Sequence, residues 1–111
     1  MLIIFNKPYG VLCQFTGQGP NLRDYIDIPG IYPAGRLDKN SEGLLILTDN
    51  GRLQNQLTHP RHEKEKTYWV QVDGLIDQIT CGLMQRGIDL NDGPASAVRC
   101  RLIDPPKVPA R

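Results

Sequence analysis

The chain has 111 residues, enough for one modest hydrophobic core, and its 40% hydrophobic and 23% charged content is typical of a globular domain. The net charge of +1 provides no global attraction for a polyanion, so contacts with nucleic acid must come from a local basic surface. The apolar run at residues 2–5 is too short for a signal peptide or a membrane span. Three widely spaced cysteines without a C-x-x-C pair argue against a disulfide framework and favour a reducing cytoplasm.

Two strands and a short helix are predicted before the middle of the chain. The apolar run at residues 2–5 predicts a buried strand, and residues 9–15 predict a second strand after a turn. Asn21 is a suitable N-cap for a short helix that continues to about residue 26. Residues 31–32 are expected to be extended because a proline follows them.

The second half predicts further alternation of strands and helices. Residues 44–48 form an apolar run typical of a strand, and Asp49 or Asn50 can cap a helix that carries Leu53 and Leu57 on one face. Together with the elements that follow residue 65, this pattern indicates an α+β fold, with a mixed, largely antiparallel sheet and short flanking helices.

After this helix the pattern predicts a strand, a helix and a hairpin. Residues 66–72 alternate as in a strand, and residues 75–87 show helical spacing that ends at a glycine. Residues 88–90 and 95–103 are expected to pair as a hairpin, followed by a proline-rich linker at 105–109.

The most informative stretch is GRLDKNSEGLLILT at residues 35–48, where a polar turn leads into a buried strand. Rigid strands hold such loops in place, so an exposed polar group on one of them is a candidate for chemistry. Asp38 is that candidate. The alternative is a turn aspartate whose carboxylate accepts backbone hydrogen bonds.

A calcium loop is a second interpretation of residues 38–49. Asp38, Asn40 and Glu42 alternate before Gly43, and Asp49 stands where the closing acid of an EF-hand would be. The preceding stretch is rich in proline and glycine, however, and an EF-hand needs a helix there. The pair His59 and His62 has no third ligand nearby, so no metal site is predicted.

Five spaced motifs resemble those of pseudouridine synthases, in particular the branch that modifies ribosomal RNA. They are NKPYGV at residues 6–11, the GRLD stretch at 35–48, LTHP at 57–60, KTY at 66–68 and GIDLNDG at 87–93. The resemblance covers nearly all of the chain and implies the pseudouridine synthase fold.

This resemblance implies isomerisation of one uridine to pseudouridine in large-subunit (23S) ribosomal RNA, with Asp38 as the essential carboxylate. In the family, uracil leaves its ribose at N1, rotates and rejoins through C5. The carboxylate either adds to C1′ or removes a proton to give a glycal-like intermediate, and the sequence leaves both routes open. The reaction is redox-neutral and implies no cofactor.

The resemblance also assigns contacts to RNA. Arg36 would hold the RNA backbone or the flipped base, Tyr68 would stack on uracil, and Lys66 would contact phosphate, as could the mixed-charge cluster at residues 61–65. The purely structural alternatives are that Arg36 pairs with Glu42, that Tyr68 packs in the core and that the cluster at residues 61–65 is a solvated charged surface. The expected partner is ribosomal RNA, with no membrane and with a monomeric, cytoplasmic enzyme.

Members of this family carry a further arginine-rich block and a basic partner for the catalytic aspartate, and neither follows residue 111. We therefore expect residues 1–111 to be the N-terminal portion of a pseudouridine synthase catalytic domain. The alternative function is that of a catalytically silent RNA-binding fragment.

Overall fold

The computed structural model describes residues 1–59, 64–90 and 93–108. The chain forms two compact units, Met1–Lys66 and Thr67–Arg111, and each is described here by itself. In the part of the chain that the structure describes, no helix is long and apolar enough to cross a membrane.

The first unit is built on a three-stranded antiparallel sheet. Strands β1 (Leu2–Lys7), β2 (Tyr32–Pro33) and β3 (Gly43–Thr48) lie in the order β1-β3-β2. In the β1–β3 register, Leu2 faces Thr48 and Lys7 faces Gly43. The two apolar runs of the sequence are therefore strands, as predicted, and they are neighbours in the sheet.

One face of this sheet covers the hydrophobic core. Since side chains alternate along a strand, every second residue of β1 and β3 points to the same side. The core consists of the buried side chains Val11, Leu22, Ile26, Ile31, Leu45 and Leu47, with Ile3, Phe5, Cys13, Phe15 and Leu37 packed against them.

The predicted strand at residues 9–15 is wrong, because this segment folds as a loop. Gly10 has a φ of +84°, which bends the chain away from β1. Leu12 makes only an isolated parallel bridge to Asn21, and its N–H donates to the carbonyl oxygen of Pro20 at 2.9 Å. The segment thus finds its hydrogen-bond partners in loops, at Pro20 and at Lys39, and not in the sheet.

Side chains cap both helices of this unit. Asn21 forms a capping box with the short 3₁₀ helix Leu22–Asp24. Asn50 precedes helix α1 (Gly51–Thr58), and its side-chain oxygen accepts the N–H groups of Arg52 and Leu53. Both caps are those that the sequence predicted, although the first helix is shorter than expected.

The second unit contains helix α2 (Gln78–Arg86) and a hairpin of β4 (Ile88–Leu90) and β5 (Gly93–Ala95). The helix begins after the cap Asp77, so the helical spacing predicted from residue 75 started too early. A hairpin is present and its first strand is the predicted one, but the second strand predicted at residues 95–103 is wrong, since only residue 95 belongs to the observed strand. The centre of its turn lies outside the described residues.

The strand predicted at residues 66–72 is also wrong. Alternation of side chains suits a strand only where a neighbouring strand accepts the backbone hydrogen bonds. Here residues 66–72 have no ladder partner in the described part of the chain, and Trp69 and Val70 are 66% and 75% exposed. The helices and the antiparallel strands still make this a partial α+β fold, as expected.

Candidate active site

Asp38 lies on the loop that joins β2 to β3. Gly35, with a φ of +101°, allows the chain to leave β2, and the N–H of Ser41 donates to the carbonyl oxygen of Asp38 at 3.0 Å. This bond closes a turn over residues 38–41 just before β3 begins. The turn leaves the Asp38 side chain exposed, as the GRLD pattern predicted.

A buried lysine at the end of β1 fixes the segment that bonds to this loop. Lys7 is fully buried, and its Nζ donates to the carbonyl oxygens of Val11 at 2.8 Å and Pro8 at 2.9 Å. The same ammonium lies 3.5 Å from the carbonyl oxygen of Lys39, the residue after Asp38. The N–H of Gly10 also donates to that Lys39 oxygen, at 2.8 Å. Two donors from the β1 side therefore meet on the backbone next to Asp38.

The electrostatics around Lys7 reflect both its burial and the acidic groups nearby. Burial lowers the pKa of Lys7, because an ammonium is poorly solvated there. The charges of Cys13, Glu42 and Asp38 act in the opposite direction. Asp38 thus interacts electrostatically with a buried positive charge as well as lying on the loop that this charge supports.

Sequence reasoning missed Lys7 as part of the site, although a signal was present. Ile3 and Phe5 pack against the core, and Lys7 is the next residue on the same face of β1. Lysine is seldom fully buried unless its ammonium has partners. The alternation of β1 therefore predicts an inward lysine, which in turn requires nearby acceptors.

Arg36 borders an open groove beside the same loop. The groove has a volume of about 420 Å³, and Tyr32, Gln54 and Thr58 contribute to its wall. Gln54 fixes one side, since its Nε2 donates to the carbonyl oxygen of Pro33 at 2.9 Å. The Arg36 side chain is exposed at this position. Arg36 and Asp38 therefore project from one short, supported stretch of backbone.

The other predicted site residues lie beyond this loop. Lys66 is the last residue of the first unit, and Tyr68 belongs to the second. Both are exposed, and the Tyr68 side chain is 57% accessible, so it is not the core aromatic of the alternative interpretation. Within the charged cluster, Lys64 is exposed, whereas residues 61–63, including His62 of the histidine pair, lie outside the described part of the chain.

The calcium interpretation of residues 38–49 is wrong. An EF-hand wraps its loop around the ion, but Gly43–Thr48 forms the extended strand β3. Six residues of strand span about 20 Å, so Asp38 and Asp49 cannot share one cation. Asp49 instead accepts a hydrogen bond at 2.8 Å from the N-terminal ammonium of Met1.

Comparison with known proteins shows the family of the whole chain. The family model for RNA pseudouridylate synthase matches residues 1–107. The chain belongs to that family. This confirms the family indicated by the five motifs.

Two relatives have similar sequences along almost the whole chain. The ribosomal large subunit pseudouridine synthase E of Xanthomonas axonopodis pv. citri is 48% identical over 109 residues, which are 95% of this chain and 57% of that protein. The protein of the same name from Vibrio parahaemolyticus is 47% identical, over 96% of this chain and 46% of its own length. The chain therefore spans about half the length of the curated relatives it matches.

A solved structure supports the fold. The crystal structure of a pseudouridylate synthase superposes with a TM-score of 0.84 and 30% sequence identity, covering 93% of this chain and 46% of that one. The match confirms the expected pseudouridine synthase fold for the portion present here.

Proposed function

We propose that this chain is the N-terminal portion of a catalytic domain that converts one uridine of large-subunit ribosomal RNA to pseudouridine, with Asp38 as the catalytic carboxylate. The observation that carries the proposal is the exposed Asp38 on a loop whose backbone is held by Gly10, while the buried Lys7 fixes residues 8–11 around that glycine. Family membership supports the reaction type, and the names of the relatives support the class of RNA.

The isomerisation requires a carboxylate that is held in position and is accessible to the RNA. The isomerisation breaks the bond between N1 of uracil and C1′ of ribose and forms a bond between C5 and C1′, while C5 loses a proton and N1 gains one. The reaction balances without an external group, and a carboxylate can serve it as a nucleophile or as a base. Because the turn over residues 38–41 holds the backbone of Asp38, this loop loses little conformational entropy when the flipped nucleotide binds.

Exposed cationic and aromatic side chains supply the proposed RNA contacts. Arg36 lies two residues from Asp38, where its guanidinium can form charge-assisted hydrogen bonds with phosphate or with the flipped base. Tyr68 offers an exposed ring for stacking on uracil, and Lys66 offers an ammonium to the backbone. Such a substrate would place the reaction with the ribosome in the cytoplasm.

The second candidate is a silent RNA-binding fragment. It is favoured by one observation, namely that the chain covers only 57% and 46% of two relatives that it otherwise matches closely. In this case Arg36, Lys66 and Tyr68 would still contact RNA, but Asp38 would lack groups that the reaction needs.

A paired assay separates the two candidates. The 111-residue chain is compared with a chimera in which it replaces the matched region of the Xanthomonas axonopodis relative. Both are incubated with unmodified large-subunit ribosomal RNA, and pseudouridine is located at single-nucleotide resolution, with the intact relative as the positive control. Conversion at one uridine by both proteins supports an active chain, and conversion by the chimera alone supports an N-terminal portion that needs the rest of its domain. If neither protein converts a uridine although both bind the RNA, the enzymatic proposal is wrong.

A further inference from the structure

The open groove beside the Asp38 loop has an exposed aromatic ring on one wall. The ring belongs to Tyr32 of β2, which is 59% exposed, whereas the preceding Ile31 lies in the hydrophobic core. Successive side chains of an extended chain point to opposite sides, so burial of Ile31 directs Tyr32 away from the core. An exposed ring on a groove wall offers a flat apolar surface to a ligand that is itself flat.

Hydrogen bonds hold the walls of this groove in place. The N–H of Ala34 donates to the carbonyl oxygen of Ile46 at 2.7 Å, which fixes the end of β2 on β3. Helix α1 is fixed on β2, because Nε2 of Gln54 donates to the carbonyl oxygen of Pro33 at 2.9 Å. One turn further along α1, the Thr58 hydroxyl donates to the carbonyl oxygen of Gln54 at 2.8 Å. The groove is therefore formed before a ligand binds, which lowers the entropic cost of binding.

The size and the charge of the groove suit a single nucleotide. Its volume of about 420 Å³ lies within the range of about 300–1,000 Å³ that is typical of pockets for small ligands. Among the described residues that line it, Arg36 carries the only formal charge, and its side chain is exposed. A guanidinium binds phosphate through two parallel hydrogen bonds, and a tyrosine ring stacks on a base. The same groove thus provides a surface for a base at Tyr32 and a cation for a phosphate at Arg36.

We propose that this groove binds the nucleotide adjacent to the target uridine in the RNA strand, with its base stacked on Tyr32 and its phosphate on Arg36. The inference rests on the proposed function, because Asp38 defines where the target uridine lies. Two consecutive trans peptides span at most about 7.6 Å, so Arg36 and Asp38 are close enough to contact neighbouring nucleotides. A nucleotide whose neighbour is flipped out loses a stacking partner, and the Tyr32 ring replaces that partner.

The affinity of the 111-residue chain for a labelled, single-stranded RNA decamer of uridines tests this stacking, as measured by fluorescence anisotropy. Tyr32→Leu keeps an apolar side chain but removes the ring, and it should raise the Kd about tenfold without lowering the melting temperature. Tyr32→Phe keeps the ring and should bind within about twofold of the original chain. Trp69→Leu removes another exposed ring, which is 66% accessible, and is the matched control. An unchanged Kd for Tyr32→Leu, or equal losses for Tyr32→Leu and Trp69→Leu, would overturn the proposal.

A double-mutant cycle tests whether Tyr32 and Arg36 bind the same nucleotide. Arg36→Gln alone should also weaken binding about tenfold. If one nucleotide joins the two side chains, Tyr32→Leu should cost no more than about twofold in the Arg36→Gln background, because that nucleotide is no longer anchored. Two losses that simply multiply would show independent contacts and would overturn the shared site.

Turnover by the chimera separates failure of this inference from failure of the proposed function. In the chimera, Tyr32→Leu should raise KM for unmodified large-subunit ribosomal RNA about tenfold and leave kcat within about twofold, because the stacked nucleotide does not react. If the original chimera converts no uridine, the proposed function is wrong, and the binding measurements still decide whether the groove holds a nucleotide. If the original chimera converts a uridine and Tyr32→Leu leaves KM unchanged, this inference alone is wrong.

Discussion

Replacement of Lys7 by methionine removes the buried ammonium while it keeps an unbranched side chain of similar length. Two short hydrogen bonds, at 2.8 and 2.9 Å, are lost, and the bond at 3.5 Å contributes little. A hydrogen bond to a charged group contributes about 1.5–3 kcal/mol. The substitution also removes the free-energy cost of burying the ammonium, so the lower end of that range applies to each bond. We therefore expect the Lys7→Met variant to lose about 3 kcal/mol of unfolding free energy, a large part of the stability of a small domain.

Urea unfolding measures this loss, and amide exchange locates it. The N–H groups of Gly10 and Ser41 donate to the carbonyl oxygens of Lys39 and Asp38. Both N–H groups should exchange faster in the Lys7→Met variant. Lys39→Met is the matched control, because its side chain is exposed and its carbonyl oxygen is retained. This control should change the unfolding free energy by no more than about 0.5 kcal/mol. If the two variants are equally stable, Lys7 does not support the loop and the reasoning from its hydrogen bonds is refuted.

Three further predictions address other parts of the molecule. Asn21→Ala should lower the unfolding free energy by about 2 kcal/mol, as measured in urea, because Asn21 is fully buried and its side chain caps the 3₁₀ helix; an unchanged midpoint would contradict this. The hydrogen bond from the Met1 ammonium lowers the pKa of Asp49, so its stabilisation is present above the ordinary value of 3.8 and is lost as pH falls through the lower, folded value. Asp49→Asn should therefore flatten the acid side of a plot of stability against pH, and an unaltered slope would count against the ion pair. Tyr68→Ala should weaken binding of single-stranded uridine-rich RNA by a factor of about 10, as measured by titration, while Trp69→Ala serves as the exposed aromatic control; equal losses would argue against specific stacking by Tyr68.

Local sequence signals were sufficient for the elements whose partners are encoded nearby. The apolar runs at residues 2–5 and 44–48 predict β1 and β3 because each alternates on a buried sheet face. Asn21 and Asn50 cap helices through bonds to their own neighbours, so the sequence is enough to place them. The GRLD loop was found for the same reason, since a polar turn before an apolar strand is exposed.

Features that depend on distant partners were not accessible in this way. Residues 66–72 alternate as a strand does, yet alternation does not say whether another strand is available. The N–H of Ala97 donates to the carbonyl oxygen of Met84 because the chain returns along α2, and no spacing rule predicts that return. To place Lys7 in the site, one must know both the alternation along β1 and the three carbonyl acceptors, which come from two loops. The sequence provides only the alternation. Sequence therefore identifies the loop of the candidate site but not the contacts that hold it.

The most direct test of the proposed function is the Asp38→Asn substitution in the chimera with the Xanthomonas axonopodis relative. Asp27→Asn, which changes another exposed carboxylate of the first unit, is the matched control. Pseudouridine formation on unmodified large-subunit ribosomal RNA is measured together with RNA affinity and melting temperature. If Asp38 is the catalytic carboxylate, its variant loses at least about a hundredfold in turnover, while affinity and melting temperature stay those of the control. An Asp38→Asn chimera that converts uridine as fast as the Asp27→Asn chimera would contradict the catalytic assignment.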